Sequence, residues 1–127
     1  FNNETDKKGY YNVEKLKMSN NKFMGNEGQL LDMLRGGNDE STMGPLLLFK
    51  NNVIGNSNSA DQPLIQLYGT QRSNIAFNNF TETNTGAVLI QYEDAVRASH
   101  LFNNNSITRS GKIISNKFVT EQNNNIK

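Results

Sequence analysis

Paired asparagines recur through this chain at a nearly fixed distance, each pair directly following a short apolar stretch. Met18-Ser-Asn-Asn-Lys-Phe23, Phe49-Lys-Asn-Asn-Val-Ile54, Ile75-Ala-Phe-Asn-Asn-Phe80 and His100-Leu-Phe-Asn-Asn-Asn105 are four copies of one phrase. Alignment on these pairs sets Asn21, Asn52, Asn78 and Asn103 in one register, at spacings of 31, 26 and 25 residues. A period of this size marks a solenoid, whose repeats bury their apolar faces only against their neighbours. Asparagine at a fixed phase has a physical reason: stacked amides can hydrogen-bond from coil to coil at the inter-strand repeat of about 4.8 Å. The expected fold is therefore all-β, a single-stranded right-handed parallel β-helix of about four to five coils, forming one domain over residues 1–127.

A second phrase supports the period. Leu64-Ile-Gln66 matches Leu89-Ile-Gln91, and a gapless shift of 25 residues carries Arg72 onto Arg97, Ile75 onto His100 and Phe77-Asn-Asn79 onto Phe102-Asn-Asn104. Leu30-Leu31 with Met33-Leu34 reads as the same strand one coil earlier, and Ile113-Ile114 as one coil later. Val, Ile, Phe and Tyr fill the strands, while Gly, Asn, Ser and Thr fill the turns. His100 then shares the phase of Met18, Phe49 and Ile75 and is expected to be an interior, hydrogen-bonded core residue. Sequons occur at Asn3, Asn79 and Asn104, but with 22 asparagines among 127 residues they are expected by accident, and the last two fall in the ladder region.

Bulk properties exclude several classes. The net charge of +1 supplies no strong field toward nucleic acid or a membrane surface. Cysteine is absent, which removes disulfides and thiolate metal sites. The longest apolar run, Leu46 to Phe49, is far short of the ~20 residues of a membrane span. One histidine in an apolar phase composes neither a zinc site nor a Ser-His-Asp triad. The chain opens on Phe1-Asn-Asn3, which looks like the tail of a coil, and ends on Glu121-Gln-Asn-Asn-Asn-Ile-Lys127 without an evident capping helix. The expectation is a fragment or module of a longer β-helical polypeptide; a processed secreted domain is the alternative.

The period breaks between Leu34 and Leu46, where Arg35-Gly-Gly-Asn-Asp-Glu-Ser-Thr-Met-Gly-Pro45 lengthens one coil. Gly36 and Gly37 permit a sharp reversal, and Arg35 is a counter-ion for Asp39 and Glu40. Asn38, Asp39 and Glu40 also offer hard oxygen ligands of the kind calcium takes. The alternating Asp-x-Asp spacing of a calcium loop is missing, which favours a structural turn.

Leu34-Arg-Gly-Gly-Asn-Asp-Glu-Ser-Thr-Met-Gly-Pro45 resembles a segment of the family 6 polysaccharide lyases, the group containing alginate lyases and chondroitinase B. Pro63-Leu-Ile-Gln-Leu-Tyr-Gly-Thr70, and Asn84-Thr-Gly86 followed by a strand, resemble that family's C-terminal coils. The resemblance runs from about Tyr10 to Thr120. It implies a secreted or periplasmic enzyme that cleaves uronate-containing polysaccharide by β-elimination. It also implies a calcium ion that helps neutralise the substrate carboxylate, with a lysine base and an arginine close by. Those catalytic residues belong to coils upstream of the motif, and none maps onto this chain; Lys50 and Arg72 stand in different coil phases. Elimination needs a base for the proton beside the carboxylate and a cation for the enolate-like charge. The resemblance thus assigns this segment no catalytic residue and no cofactor, leaving calcium to the parent enzyme's catalytic part.

The expected role is architectural and substrate-assisting. The expected partners are an acidic polysaccharide and the remainder of the same polypeptide or a subunit contact. A stand-alone carbohydrate-binding or surface-interaction module is the alternative. Arg72 and Arg97, stacked by the shift of 25, are candidates to hold carboxylates in a bidentate fork; two solvated arginines balanced by Glu93 and Asp94 are the competing reading. Tyr68 and Tyr92 are candidate platforms for sugar rings. Alginate and chondroitin or dermatan sulfate remain equally open as substrates.

Overall fold

The computed structural model describes residues 2–3, 15–34, 45–57, 62–81, 88–93, 98–108 and 112–127. Their regular structure is entirely β, in five successive trios of strands, here called rungs. The first rung carries β1 (Asn2–Asn3), β2 (Lys15–Ser19) and β3 (Lys22–Met24), and the second β4 (Leu31–Leu34), β5 (Leu46–Lys50) and β6 (Val53–Gly55). The third is β7 (Ile65–Tyr68), β8 (Arg72–Ala76) and β9 (Asn79–Thr81). The fourth is β10 (Val88–Glu93), β11 (Ser99–Asn103) and β12 (Ser106–Thr108), and the fifth β13 (Lys112–Ile114), β14 (Val119–Gln122) and β15 (Asn125–Ile126).

Consecutive strands never pair with each other. The chain visits three sheets in turn, so that β1-β4-β7-β10-β13 form the first, β2-β5-β8-β11-β14 the second and β3-β6-β9-β12-β15 the third. Every pairing is parallel. Parallel strands in register bring equivalent residues of successive rungs into columns, which is why a sequence repeat becomes a stack.

Side chains alternate across each strand. On the first sheet Leu31, Ile65 and Ile90 form one inward column and Met33, Leu67 and Tyr92 the next. On the second, Phe49, Ile75 and Phe102 form a buried column; on the third, Ile54, Phe80 and Ile107 do so. These inward faces merge into one apolar cluster. Phe23 stacks on Phe49 at 6.2 Å between centroids, and Phe80 meets Phe102 at 6.5 Å. Burying each of the fully enclosed rings of Phe49, Phe80 and Phe102 contributes about 2–3 kcal/mol relative to exposure, while Phe23 is only partly buried.

The register corrects one expectation. Ile90 pairs with Ile65 as the shift of 25 requires, but Ser99, not Arg97, pairs with Arg72. Two residues are therefore added between Glu93 and Ser99, and the second and third sheets follow a shift of 27, the separation of Ser73 and His100. Ile75 lies under Phe102 rather than His100, and His100 stands over Ser73 in the inward column of Leu16, Leu47 and Val119. Its expected burial holds; its expected phase does not.

Candidate functional site

The asparagine ladder is continuous, with a different fourth member. Asn21 donates from its backbone N and its Nδ2 to Asn52 Oδ1, at 2.9 and 3.1 Å. Asn52 does the same to Asn78 Oδ1, Asn78 to Asn105 Oδ1 and Asn105 to Asn124 Oδ1, at distances of 2.9 to 3.2 Å. Each Nδ2 from Asn52 onward also reaches a backbone carbonyl of the rung below, on Met18, Phe49, Ile75 or Phe102. Asn103 is not a rung of this ladder. It closes β11 on the outer face above Ala76, because the two added residues displace the ladder to Asn105.

A tight turn puts the amides there. The residue before each ladder asparagine has left-handed backbone, at Asn20 (φ 61), Asn51 (φ 55), Phe77 (φ 56), Asn104 (φ 56) and Asn123 (φ 55). Asparagine tolerates this region; a phenylalanine there costs about 1 kcal/mol. Phe77 is also 55% exposed, so its ring gains little burial in return. Phe77→Asn should therefore raise stability by about 1 kcal/mol, read as a higher urea midpoint at unchanged m-value; a lower midpoint would contradict the strain.

The tyrosine candidates fall on opposite sides of the first sheet. Tyr68 points outward and is 41% exposed, beneath Glu93 of the next rung. Tyr92 stands over Leu67 in the inward column and is 3% exposed, so it is no sugar platform. Burial, with the Glu121 carboxylate as a smaller contribution, pushes its phenol pKa up. Its ring lies 5.0 Å from that of His100, whose Nδ1 is 2.8 Å from Ser73 Oγ. Burial lowers the His100 pKa to about 4, and its Nε2 has no hydrogen-bond partner among the described residues. A neutral imidazole with one nitrogen engaged in the core does not reach a solvent-borne substrate.

The outer faces differ in charge, although the first sheet also exposes Lys112 on β13. The first sheet turns Asp32, Gln66 and Gln91 outward in one column, with Tyr68 and Glu93 in the next. Gln29 Nε2 donates to Gln66 Oε1 at 3.1 Å, and Gln91 Nε2 donates to Glu93 Oε1. Both formal charges in these two columns are negative. The second sheet is the reverse: its outward charged side chains among the described residues are Lys15, Lys17, Lys50 and Arg72, all cationic. Lys15 and Arg72 belong to one outward column, separated by Leu46. Periodicity alone does not reveal this face, because its cations come from three strands far apart in sequence.

Arg72 is exposed at the start of β8, without the stacked arginine expected above it. Arg97 lies outside the described residues, as do Arg35, Gly36, Gly37, Asp39 and Glu40. Among the described residues no group of three or more His, Cys, Asp or Glu side chains could hold a metal ion. Asn79 of the second sequon is exposed on the outer side of the third sheet; the ladder residue beside it is Asn78. Comparison with protein-family profiles, with curated proteins and with solved structures finds no match.

Proposed function

We propose that this chain is a stretch of right-handed parallel β-helix, like the C-terminal coils of a family 6 polysaccharide lyase, that holds uronate-containing polysaccharide without cleaving it. The observation that carries this reading is that the outward charged side chains of the second sheet, among the described residues, are all cations: Lys15, Lys17, Lys50 and Arg72 on parallel strands. Adjacent strands stand about 4.8 Å apart, and alternate residues along a strand about 6.6 Å. Cations on such a grid can meet successive carboxylates of an extended acidic polymer. Arginine supplies a bidentate fork at Arg72, and lysine a mobile point charge at the other three positions. Lysine stems along Leu46 and Leu48 also offer apolar contact to sugar C–H faces. In this reading elimination takes place on other coils of the parent polypeptide, and this segment lengthens the track on which the polymer lies.

The test is a titration of the chain with oligomeric alginate and with dermatan sulfate at rising salt, alongside an assay for unsaturated uronate product. Exposed ion pairs contribute roughly 0.2–1 kcal/mol each and are screened by salt. The double variant Lys17→Gln/Arg72→Gln should weaken binding about tenfold and flatten its salt dependence, while the wild type yields no unsaturated product. Salt-insensitive binding that the double variant leaves intact would rule out the cationic face as the binding surface. Turnover that persists through repurification would overturn the non-catalytic reading.

A further inference from the structure

We propose a second element of the polymer-binding surface: an aromatic subsite at Phe77, on the turn between the second and third sheets, which takes the face of one uronate ring. One column of the fold holds an outlier. Asn20, Asn51, Phe77, Asn104 and Asn123 all have left-handed backbone, and only the third-rung position departs from asparagine. The departure carries backbone strain, and it exposes an aromatic ring on a turn whose other side chains are amides. Neither core burial nor turn geometry explains phenylalanine there, since asparagine serves the same turn in every other rung. Strain retained at an exposed residue points to use of the side chain itself.

The surroundings define what the ring would hold. Asn51 lies directly below and Asn104 directly above in the column, as the hydrogen bonds from Asn51 N to Ala76 O and from Phe77 N to Asn103 O require. An amide offers both a donor and an acceptor, which suits the hydroxyls around a sugar, while an aromatic face suits its C–H side. Lys50 pairs with Ala76, the residue before Phe77, and points to the outer face. A cation beside an aromatic platform and two amides selects an acidic sugar over a neutral one. Asn79, exposed two residues on, supplies a further amide on the third-sheet side. The subsite thus continues the row of cations from Lys50 around the corner of the fold. It rests on the reading of the second-sheet face as a polyuronate track, and it specifies where one ring of that polymer stacks.

Phe77→Asn separates this role from a structural one, because it should improve folding while harming binding. The experiment measures thermal unfolding and the affinity for oligomeric alginate and for an uncharged oligoglucoside, in wild type, Phe77→Asn and Lys50→Gln. The expected result is a higher unfolding midpoint for Phe77→Asn with at least a fivefold loss of alginate affinity. For Lys50→Gln, the preference for alginate over the neutral oligomer should shrink. If Phe77→Asn keeps full alginate affinity while Lys17→Gln/Arg72→Gln loses it, the subsite is wrong and the polyuronate track stands. If the wild type binds neither alginate nor dermatan sulfate, both fall.

Discussion

Asn78→Leu is expected to lower stability by about 4 kcal/mol, a large share of the roughly 5–15 kcal/mol that keeps a typical domain folded. Asn78 is 2% exposed at the centre of the ladder. Its Oδ1 accepts from both the backbone N and the Nδ2 of Asn52, and its Nδ2 donates to Phe49 O and Asn105 Oδ1. Leucine has similar volume and fills the space, so the packing term is small. What remains is a backbone N–H and an amide hydrogen on Asn52 without their acceptor, and a carbonyl on Phe49 without this donor. Each buried group stranded in this way costs about 1–3 kcal/mol. Asn21→Leu is the control, since Asn21 is exposed and accepts no ladder bond from another rung among the described residues. It should cost less than about 1 kcal/mol. Urea unfolding of the two variants, at matching m-values, decides the matter. Equal effects at both positions would mean that the amide stack follows from the fold without stabilising it.

The same ladder shows what is legible in the sequence and where legibility stops. Asn21, Asn52 and Asn78 are readable because apolar residues flank each pair at constant distance, and the inward residues Phe49, Ile54, Ile75 and Phe80 follow from those flanks. The fourth rung misleads for a local reason. Asn103, Asn104 and Asn105 are consecutive, so the asparagines alone leave the phase undetermined. The match of Leu64-Ile-Gln66 to Leu89-Ile-Gln91 then imposes a shift that holds only on the first sheet. A sharper signal is present: a shift of 25 lays Phe80 on Asn105, whereas 27 lays it on Ile107 and keeps the core apolar. The tyrosines are separable too, since the shift of 25 sets Tyr92 on Leu67 and Tyr68 on Glu93. The cationic face and the Phe77 subsite lie beyond such reasoning. One depends on register between strands distant in sequence, and the other on a backbone angle that no spacing reveals.

Acid is expected to destabilise this protein through His100 at pH values where carboxylates still carry their charge. His100 is 2% exposed, between Ser73 and Val119 in an inward column and beside the Tyr92 ring. Burial lowers its pKa from 6.5 to about 4. The direction follows from proton binding. Between pH 6.5 and about 4 the unfolded chain takes up a proton at this residue and the folded chain does not, so unfolding gains as pH falls. The stabilisation is fully present above pH 6.5, declines through that window and is gone below about pH 4. Its size is about 3–4 kcal/mol, since each pH unit across that window contributes roughly 1.4 kcal/mol. Between about pH 6.5 and 5 the carboxylates contribute little, which makes that interval diagnostic. His100→Asn keeps an acceptor near the Ser73 hydroxyl and removes the titration. It should lower stability by a constant amount and flatten the slope in that interval. His100 is the only histidine, so its ring resonances can be followed in the folded protein without ambiguity. A titration midpoint near 4 would agree with the buried column. One near 6.5 would mean that water reaches the imidazole and that the fourth rung is open beside Tyr92.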